Sequence, residues 1–336
     1  MAVSNRGMTT TDNIDLNEIL YGKIIPAVDT YNEEEVLDLR ALTCTDWDES
    51  YRKFAASSRW KFDELAEGEW PVGRKIIWGK RQKDTRKFGL GIQYTEDWLA
   101  SNDASSAEIA RMTAEAMDRD RSLQTTIILD IMSTTSTDGF FNGAFSTGEN
   151  MTLPQSYGNN TFAATHTHYV ASGSTTLALS DITAAKDHLK EHGYKQNIWG
   201  ICNSDFTKKV EDLAGWAALS STATIVVTPV VDDISINGFR GRMLGIDWLE
   251  TEWLPDDYFL LIGTGTGQNK PVNFIQKANE AYRGLLLRKG ANPDYPIIGS
   301  AYIRWLSAQV LLRGAGVIYY LASAWTDPSI TSNTVT

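Results

Sequence analysis

The chain has 336 residues, with 31 Lys and Arg against 42 Asp and Glu, and a formal net charge of −11. A domain typically has about 150 residues, so this length predicts two domains or one domain with large extensions. The acidic balance argues against a dedicated nucleic-acid binder, which needs a basic face to displace counterions from phosphates. Its 2 cysteines exclude a disulfide framework. We expect neither a signal peptide, because residues 1–11 are polar, nor a membrane span, which needs roughly 18 consecutive apolar residues.

Two extensions are predicted before the first compact region. Residues 1–50 carry 11 acids and 3 bases, and their apolar residues follow no sustained period. We predict an extended arm with short helical turns, which needs another surface because it buries little by itself. Residues 59–95 mix aromatic and β-branched residues with glycines, a pattern typical of a long two-stranded hairpin. An isolated hairpin is marginally stable in water, so this one is also expected to lie on something.

The clearest helix is predicted over residues 101–135. Apolar residues recur there in steps of three, four or seven, at Ile109, Met112, Ala116, Leu123, Ile127 and Ile131. A mixed α/β block is predicted from 177 to 270. Its elements are a helix over 177–193, a strand over 198–202, a helix capped by Asn203 or Ser204, and strands within 224–231, 239–252 and 258–262. Further β-favouring runs follow between 271 and 321, and a Ser/Thr-rich tail ends the sequence.

The 4 histidines are the residues that most strongly indicate a possible chemical site. His166 and His168 lie in a Ser/Thr-rich loop, while His188 and His192 are four residues apart on a predicted helix and therefore face the same way. Such a pair can share a zinc ion, but the sequence between them lacks the HExxH order of zinc hydrolases. We interpret the helix pair as exposed polar surface. We therefore assign no catalytic, cofactor-binding or metal-binding residue, and keep a metal-dependent hydrolase using all four histidines as the alternative of a different class.

Other motifs are weaker. The sequence GTGTGQNK at 263–270 lacks the GxxxxGK[ST] pattern of a phosphate loop and is interpreted as a linker. Cys202 and Ser204 have no nucleophile motif around them, and the acidic pairs at 232–233 and 256–257 are typical of turns.

Three stretches resemble the HK97-like major capsid protein of tailed bacteriophages. They are the hairpin-to-helix run 70–135, DITAAKDHLKEHGYKQNIWGICNSDFTKKVEDL at 181–213, and INGFRGRMLGIDWLETEWLPDDYFLLIG at 236–263. The resemblance implies an α+β fold, organised as an N-terminal arm (1–58), an extended E-loop hairpin (59–97), a P-domain with a long spine helix (98–176), an inserted α/β A-domain (177–270), P-domain return strands (271–325) and a flexible tail (326–336).

The resemblance also implies a function. It predicts a structural protein, not an enzyme, that self-assembles into hexamers and pentamers of an icosahedral shell enclosing dsDNA without binding it specifically. The expected location is the virion capsid, after assembly in the host cytoplasm, with no cofactor and no membrane. The expected partners are further copies of the chain, a separate scaffolding protein, a portal and decoration proteins. An encapsulin-like compartment for protein cargo is the alternative on the same fold.

Charge is segregated between the two extensions. The stretch 74–87 carries seven bases and one acid, opposite to the acidic arm. We therefore predict that the hairpin of one subunit lies over the arm or long helix of a neighbour, with aromatic side chains supplying affinity. By position, Lys80, Lys83 and Lys87 resemble the lysine that some family members cross-link to a neighbour, but no Asn or Glu partner can be matched. The candidate contact residues are Trp70, Arg74, Lys75, Trp78, Lys80, Arg81, Lys83, Arg86 and Lys87.

Overall fold

The computed structural model describes residues 24–33, 39–48, 52–55, 78–81, 83–94, 106–143, 162–163, 165–218, 239–264, 270–289 and 298–330. Within these residues the protein is a mixed α/β structure, which confirms the predicted α+β class. Its helices are α1 (24–33), α2 (Ser106–Ser133), α3 (Leu179–Glu191) and α4 (Ser204–Glu211). Short 3-10 turns lie at Leu39–Leu42 and Glu280–Tyr282.

The strands form two large sheets and one small one. The first sheet has the order β1-β11-β13-β12, with β4 also paired to β13; the second has the order β5-β14-β10-β6-β9-β8-β7; and β2 pairs with β3. The bounds are β1 Thr43–Trp47, β2 Arg52–Ala55, β3 Trp78–Arg81, β4 Arg86–Tyr94, β5 Tyr169–Ala171, β6 Ile198–Cys202, β7 Ala217–Ala218, β8 Phe239–Met243, β9 Ile246–Glu250, β10 Tyr258–Gly263, β11 Val272–Gln276, β12 Leu286–Lys289, β13 Ile298–Val310 and β14 Gly316–Tyr320.

The long helix is confirmed. Helix α2 has 28 residues and lies along β13, the longest strand of the first sheet. Its C-terminal half enters the main core, where Ile128, Leu129 and Met132 are fully buried. The apolar stripe in the sequence predicted this helix because its side chains would otherwise stay in water.

Part of the predicted arm packs on its own chain, which corrects the expectation that it needs another surface. In α1, the side chains of Ile24, Val28 and Tyr31 follow helical spacing and pack against Ala116 of α2 and Tyr302 of β13. Strand β1 then pairs in parallel with β11, about 230 residues later in the chain, starting with Thr43 opposite Val272. The surface that holds residues 24–33 and 43–47 is therefore the body of the same subunit.

The hairpin differs from the predicted one in its pairing. Strand β3 pairs antiparallel with β2, from Arg52 opposite Arg81 to Ala55 opposite Trp78, so residues 56–77 connect the two strands. Strand β4 instead pairs with β13 over nine residues of the first sheet. The physical reason is cover for apolar side chains, because Phe88 and Ile92 pack against buried clusters beside the long helix. The predicted E-loop over 59–97 thus falls largely outside the described residues.

The α/β block matches its predicted elements where the structure describes them. Helix α3 begins after Ala178, whose N–H donates a hydrogen bond to the Asp181 carboxylate at 2.8 Å, and its residues Ile182, Ala185 and Leu189 are buried. Asn203 caps α4 by accepting from the Phe206 N–H at 2.8 Å. The predicted strand at 224–231 lies outside the described residues. Strand β14, from the predicted return segment, lies in the same sheet as β6, β9 and β10.

The beginning of the predicted flexible tail is packed. Ile330 lies against the main core, as does Trp325 just before the tail. Asp327 accepts a hydrogen bond from the Thr135 hydroxyl at 2.9 Å and another from the Trp325 indole at 2.8 Å. Residues 326–330 are therefore held by the end of the long helix, and 331–336 lie outside the described residues.

Candidate functional site

The structure places only some of the predicted contact residues. Three lie outside the described residues: Trp70, Arg74 and Lys75. Three belong to β3, which pairs with β2: Trp78, Lys80 and Arg81. The side chains that the structure places are those of Lys83, Arg86 and Lys87.

Lys83 has a partner within its own chain. Its Nζ lies 2.8 Å from Oδ2 of Asp138, just after the long helix, and the two side chains are 23% and 37% exposed. A half-buried ion pair of this kind joins the start of β4 to the end of α2. The charge of Lys83 is therefore already balanced within its own chain and is not available to a neighbouring subunit. This distinguishes Lys83 from the other candidate contact residues.

Arg86 and Lys87 are exposed on β4 together with Leu90, which is 41% exposed. Among the described strands β4 pairs only with β13, so its other edge has no strand partner there. An open strand edge presents unpaired N–H and C=O groups that favour association with another chain. We call these three residues the β4 surface. They combine positive charge, an apolar side chain and an edge that no described strand pairs with.

The structure brings the four histidines together. His166 and His168 precede β5, His188 lies in the last turn of α3, and His192 is its C-terminal cap. One ring nitrogen from each lies within 4.8 Å of the others. Nε2 of His166 is 3.0 Å from Nε2 of His192, and the rings of His166 and His188 stack with their centroids 4.7 Å apart. His168 and His192 are buried, and the other two are half-buried.

The surroundings of the cluster orient His168. Its Nδ1 lies 2.6 Å from the carbonyl oxygen of Gly316 in β14. A carbonyl only accepts hydrogen bonds, so Nδ1 carries the proton and Nε2 holds the lone pair. Nε2 of His168 and Nε2 of His188 are both buried, and neither has a hydrogen-bond partner in the described part of the chain. Phe162 stacks on His192 at 4.1 Å between ring centroids.

The environment favours neutral imidazoles. Burial, together with the nearby His188 and His192, holds the pKa of His168 well below its usual value. Burial, with the adjacent His166 and His192, lowers the pKa of His188 to about 3. Burial also lowers the pKa of His166. These three rings are therefore uncharged at neutral pH, which is the form that binds metals.

The interpretation of the helix pair as exposed polar surface is wrong. His188 follows Ala185 by three residues and His192 follows Leu189 by three, so both continue the buried face of α3. That spacing was visible in the sequence and was the missed signal. What the sequence could not show is that the loop before β5 passes over the same end of the helix.

The cluster does not resemble a catalytic zinc centre. Catalytic sites typically have three protein ligands and keep one position open for water. Here four imidazoles converge, and among the described residues no Asp, Glu or Cys joins them. Four nitrogen ligands would fill a tetrahedral ion, so the geometry favours a structural role over the hydrolase alternative.

Neither Cys202 nor the acidic pair at 256–257 has surroundings that would make it reactive. Burial raises the pKa of the Cys202 thiol to about 12, which keeps it protonated and unreactive. In the acidic pair, Asp256 accepts a hydrogen bond from Asn203, and Asp257 lies 3.1 Å from Nζ of Lys209. Most of the linker at 263–270 lies outside the described residues.

None of the helices that the structure describes combines the length and apolar character needed to cross a membrane.

Solved structures share the fold over almost the whole chain. A structure described as Mycobacterium phage Patience matches with a TM-score of 0.66 and 20% identity, covering 92% of this chain and 89% of that one. The capsid of an empty GTA particle matches with a TM-score of 0.52 and 13% identity, covering 86% and 91%.

The capsid structure of the cyanophage P-SCSP1u matches with a TM-score of 0.52 and 10% identity, covering 84% and 87%. The chain has the HK97-like capsid fold. The resemblance seen in the sequence is thus confirmed. Because the sequence identities are so low, the similarity to these structures concerns the capsid fold alone. No protein-family model and no curated protein matches the sequence.

Proposed function

We propose that this chain is a major capsid protein, a structural protein without enzymatic activity that assembles into hexamers and pentamers of an icosahedral shell around dsDNA. The observation that carries the proposal is the capsid fold shared over nearly the whole chain with phage and GTA particles. The expected location is the virion capsid after assembly in the host cytoplasm, and the expected partners remain a separate scaffolding protein, a portal and decoration proteins.

The domain assignments follow from the same proposal. The first sheet with α2 would form the P-domain around its spine helix, and the second sheet with α3 and α4 would form the A-domain at the five-fold and six-fold centres. Strands β2 and β3 would be the base of the E-loop. Strand β5 lies just before 177, and β14 lies well inside the predicted return segment, so their pairing with this sheet supports an A-domain that also includes 169–171 and 316–320.

The β4 surface is the proposed subunit contact. Its cations, Arg86 and Lys87, lie on the open edge of the first sheet, and acidic segments of a neighbouring copy would complement them. Each exposed charge pair contributes little, so the effect depends on repetition over many subunits. Lys83 is left out of this surface because Asp138 of the same chain already neutralises it.

Electron microscopy of the purified full-length chain tests the proposal. We expect closed icosahedral particles, or rings of five and six subunits where a scaffold is needed to close the shell. A chain that stays monomeric over the whole accessible concentration range would contradict the proposal. Nuclease-protected DNA in particles from the natural source would support a virion capsid, while protected protein cargo without DNA would point to an encapsulin-like compartment.

A further inference from the structure

The four-histidine cluster points to a property of the chain that is separate from shell formation. We propose that His166, His168, His188 and His192 together bind one divalent transition-metal ion, with zinc as the best fit, as a structural clamp between α3 and the segment before β5. The proposal does not depend on assembly, because metal binding can be measured on any folded form of the chain.

The first argument is convergence. Two histidines come from a His-x-His segment before a strand and two from a His-x-x-x-His pair at a helix end, and one nitrogen of each meets the others within 4.8 Å. Zinc binds imidazole nitrogen at about 2.0–2.1 Å, so tetrahedral ligands lie about 3.4 Å from one another. The 3.0 Å between Nε2 of His166 and Nε2 of His192 is close to that spacing. The wider pairs, up to 4.8 Å apart, would have to close to that spacing when the ion binds.

The second argument is the orphaned nitrogen of His168. The side chain is fully buried, and its Nδ1–H donates to the Gly316 carbonyl of β14 at 2.6 Å. Metal-binding histidines characteristically use the second ring nitrogen in this way, which fixes both the tautomer and the ring orientation. The remaining lone pair on Nε2 has no partner among the residues that the structure describes. A metal ion would satisfy it, and would satisfy the buried Nε2 of His188 as well.

The third argument is the apolar lining of the cluster. Phe141 lies 6.3 Å from His166 between ring centroids, and Phe162 lies 4.6 Å from it, so aromatic rings line the cluster. An apolar shell around a metal site limits the access of solvent to the ion.

The chemistry of the donors selects the metal. Four neutral nitrogens without a carboxylate disfavour Mg²⁺ and Ca²⁺, which prefer oxygen ligands. Imidazole suits zinc, copper, iron and nickel, and a closed tetrahedral set is characteristic of zinc. The clamp would join helix α3 to β5 and, through the Gly316 carbonyl, to β14. In the proposed capsid, each subunit would carry one such clamp.

The experiment measures metal bound by the purified full-length chain. The protein is stripped with a chelator, exposed to Zn²⁺ and, separately, to Mg²⁺, and analysed by elemental mass spectrometry and titration calorimetry. We expect one Zn²⁺ per chain and no Mg²⁺. The variants His188→Gln and His192→Gln should weaken Zn²⁺ binding by at least about tenfold, the scale on which even outer partners of a metal site act.

The matched control is Lys190→Gln, which lies on the same helix turn between the two histidines. Its side chain is 42% exposed and pairs with Asp187, outside the four histidines, so the zinc content of the variant should equal that of the wild type. Wild-type protein that binds no Zn²⁺, or a His188→Gln variant that binds as well as the control, would overturn the proposal.

A spectroscopic measurement on the wild type covers the case in which a variant fails to fold. Cobalt replaces zinc in tetrahedral sites, and Co²⁺ bound by four nitrogens gives intense visible absorption bands that octahedral surface binding does not. Strong tetrahedral bands at one equivalent support the proposal, while weak octahedral bands contradict it. Shells that assemble without any bound metal would reject the clamp as a requirement for assembly but leave the capsid function intact.

Discussion

Arg304 donates a hydrogen bond from Nη1 to Oδ2 of Asp120 at 2.5 Å, and the two side chains are only 6% and 3% exposed. The same carboxylate oxygen accepts from the Tyr31 hydroxyl at 2.7 Å and from Nε2 of Gln124 at 2.8 Å. One buried oxygen therefore connects the arm helix α1, the long helix α2 and strand β13. This network explains why residues 24–33 stay on their own subunit.

We expect Asp120→Ala to lower the free energy of unfolding by about 3–5 kcal/mol, because it leaves the buried Arg304 charge without a counterion. Urea unfolding of the dissociated subunit measures the loss. The control is Asp118→Ala on the same helix, whose exposed ion pair with Arg121 spans 3.5 Å and should contribute less than about 0.5 kcal/mol. Equal losses in the two variants would contradict the role of the buried pair. Replacing both partners, as Asp120→Leu with Arg304→Met, should restore much of the stability.

The sequence predicted those elements whose signal is local. The stripe from Met112 to Ile131 predicted α2, and the β-branched runs predicted most strands, because burial imposes a period on neighbouring residues. It did not predict that β1 pairs with β11, or that β4 joins β13 instead of folding back on β3. Such pairings depend on contacts between distant segments, and no local pattern encodes them.

The histidine cluster likewise has one part that a local sequence pattern could predict and one part that depends on distant segments. His188 and His192 lie on the buried face of α3, a placement that the spacing from Ala185 and Leu189 could have given. That His166 and His168 meet them depends on the parallel pairing of β5 with β14, which positions the preceding loop over the helix end. The sequence therefore indicated the four residues as one possible metal set, but it could not show that the two pairs converge.

A glycine in the second sheet gives a sharp test of packing. A Cβ on Gly200 in β6 would lie 2.7 Å from the ring of Trp248 in the adjacent strand β9, too close for any real contact. We expect Gly200→Ala to destabilise the subunit by about 1–3 kcal/mol, because Trp248 is fully buried and cannot move without disturbing the core. Thermal unfolding measures the effect. Gly91→Ala is the matched control, since a Cβ there meets nothing within 4 Å, and a similar loss in both variants would refute the packing argument.

The carboxyl of Asp48 should make the free energy of unfolding depend on pH in the acidic range. Burial favours its protonated form, but hydrogen bonds from Lys277, the Ala278 N–H and Thr85 outweigh burial, and together they lower the pKa of the carboxyl. A lowered folded-state pKa contributes stability that is present above the unfolded-state value of about 3.9 and is lost as the pH falls through the folded-state value.

The test compares urea unfolding of the wild type and Asp48→Asn between pH 7 and pH 3. We expect the wild type to be the more stable at pH 7 and the difference to shrink below about pH 4, as the carboxyl of Asp48 becomes protonated. Asp187→Asn, which changes an exposed carboxylate on α3, serves as the control and should keep a nearly constant difference from the wild type. A gap for Asp48→Asn that stays constant with pH would show that the carboxylate charge is not what stabilises this contact.

The β4 surface gives a prediction about assembly separate from folding. Arg86→Glu with Lys87→Glu reverses two exposed charges on the open edge of the first sheet, while leaving the ion pair of Lys83 with Asp138 intact. We expect the double variant to lose most of its shell yield in sedimentation and electron microscopy. Its free energy of unfolding should fall by no more than about 2 kcal/mol, because Arg86 and Lys87 lie over the rings of Phe88 and Trp305, and exposed cation–π contacts contribute about 0.5–1 kcal/mol each.

The control reverses two adjacent cations on α4, Lys208→Glu with Lys209→Glu, whose ion pairs with Asp205 and Asp257 lie within the same chain. If that control assembles normally while the β4 variant does not, the loss reflects the site and not the change in net charge. Repeating the assay at high salt should weaken wild-type assembly, because screening reduces the attraction between exposed charges. Undiminished shell yield from the β4 variant would exclude this edge as the electrostatic contact between subunits.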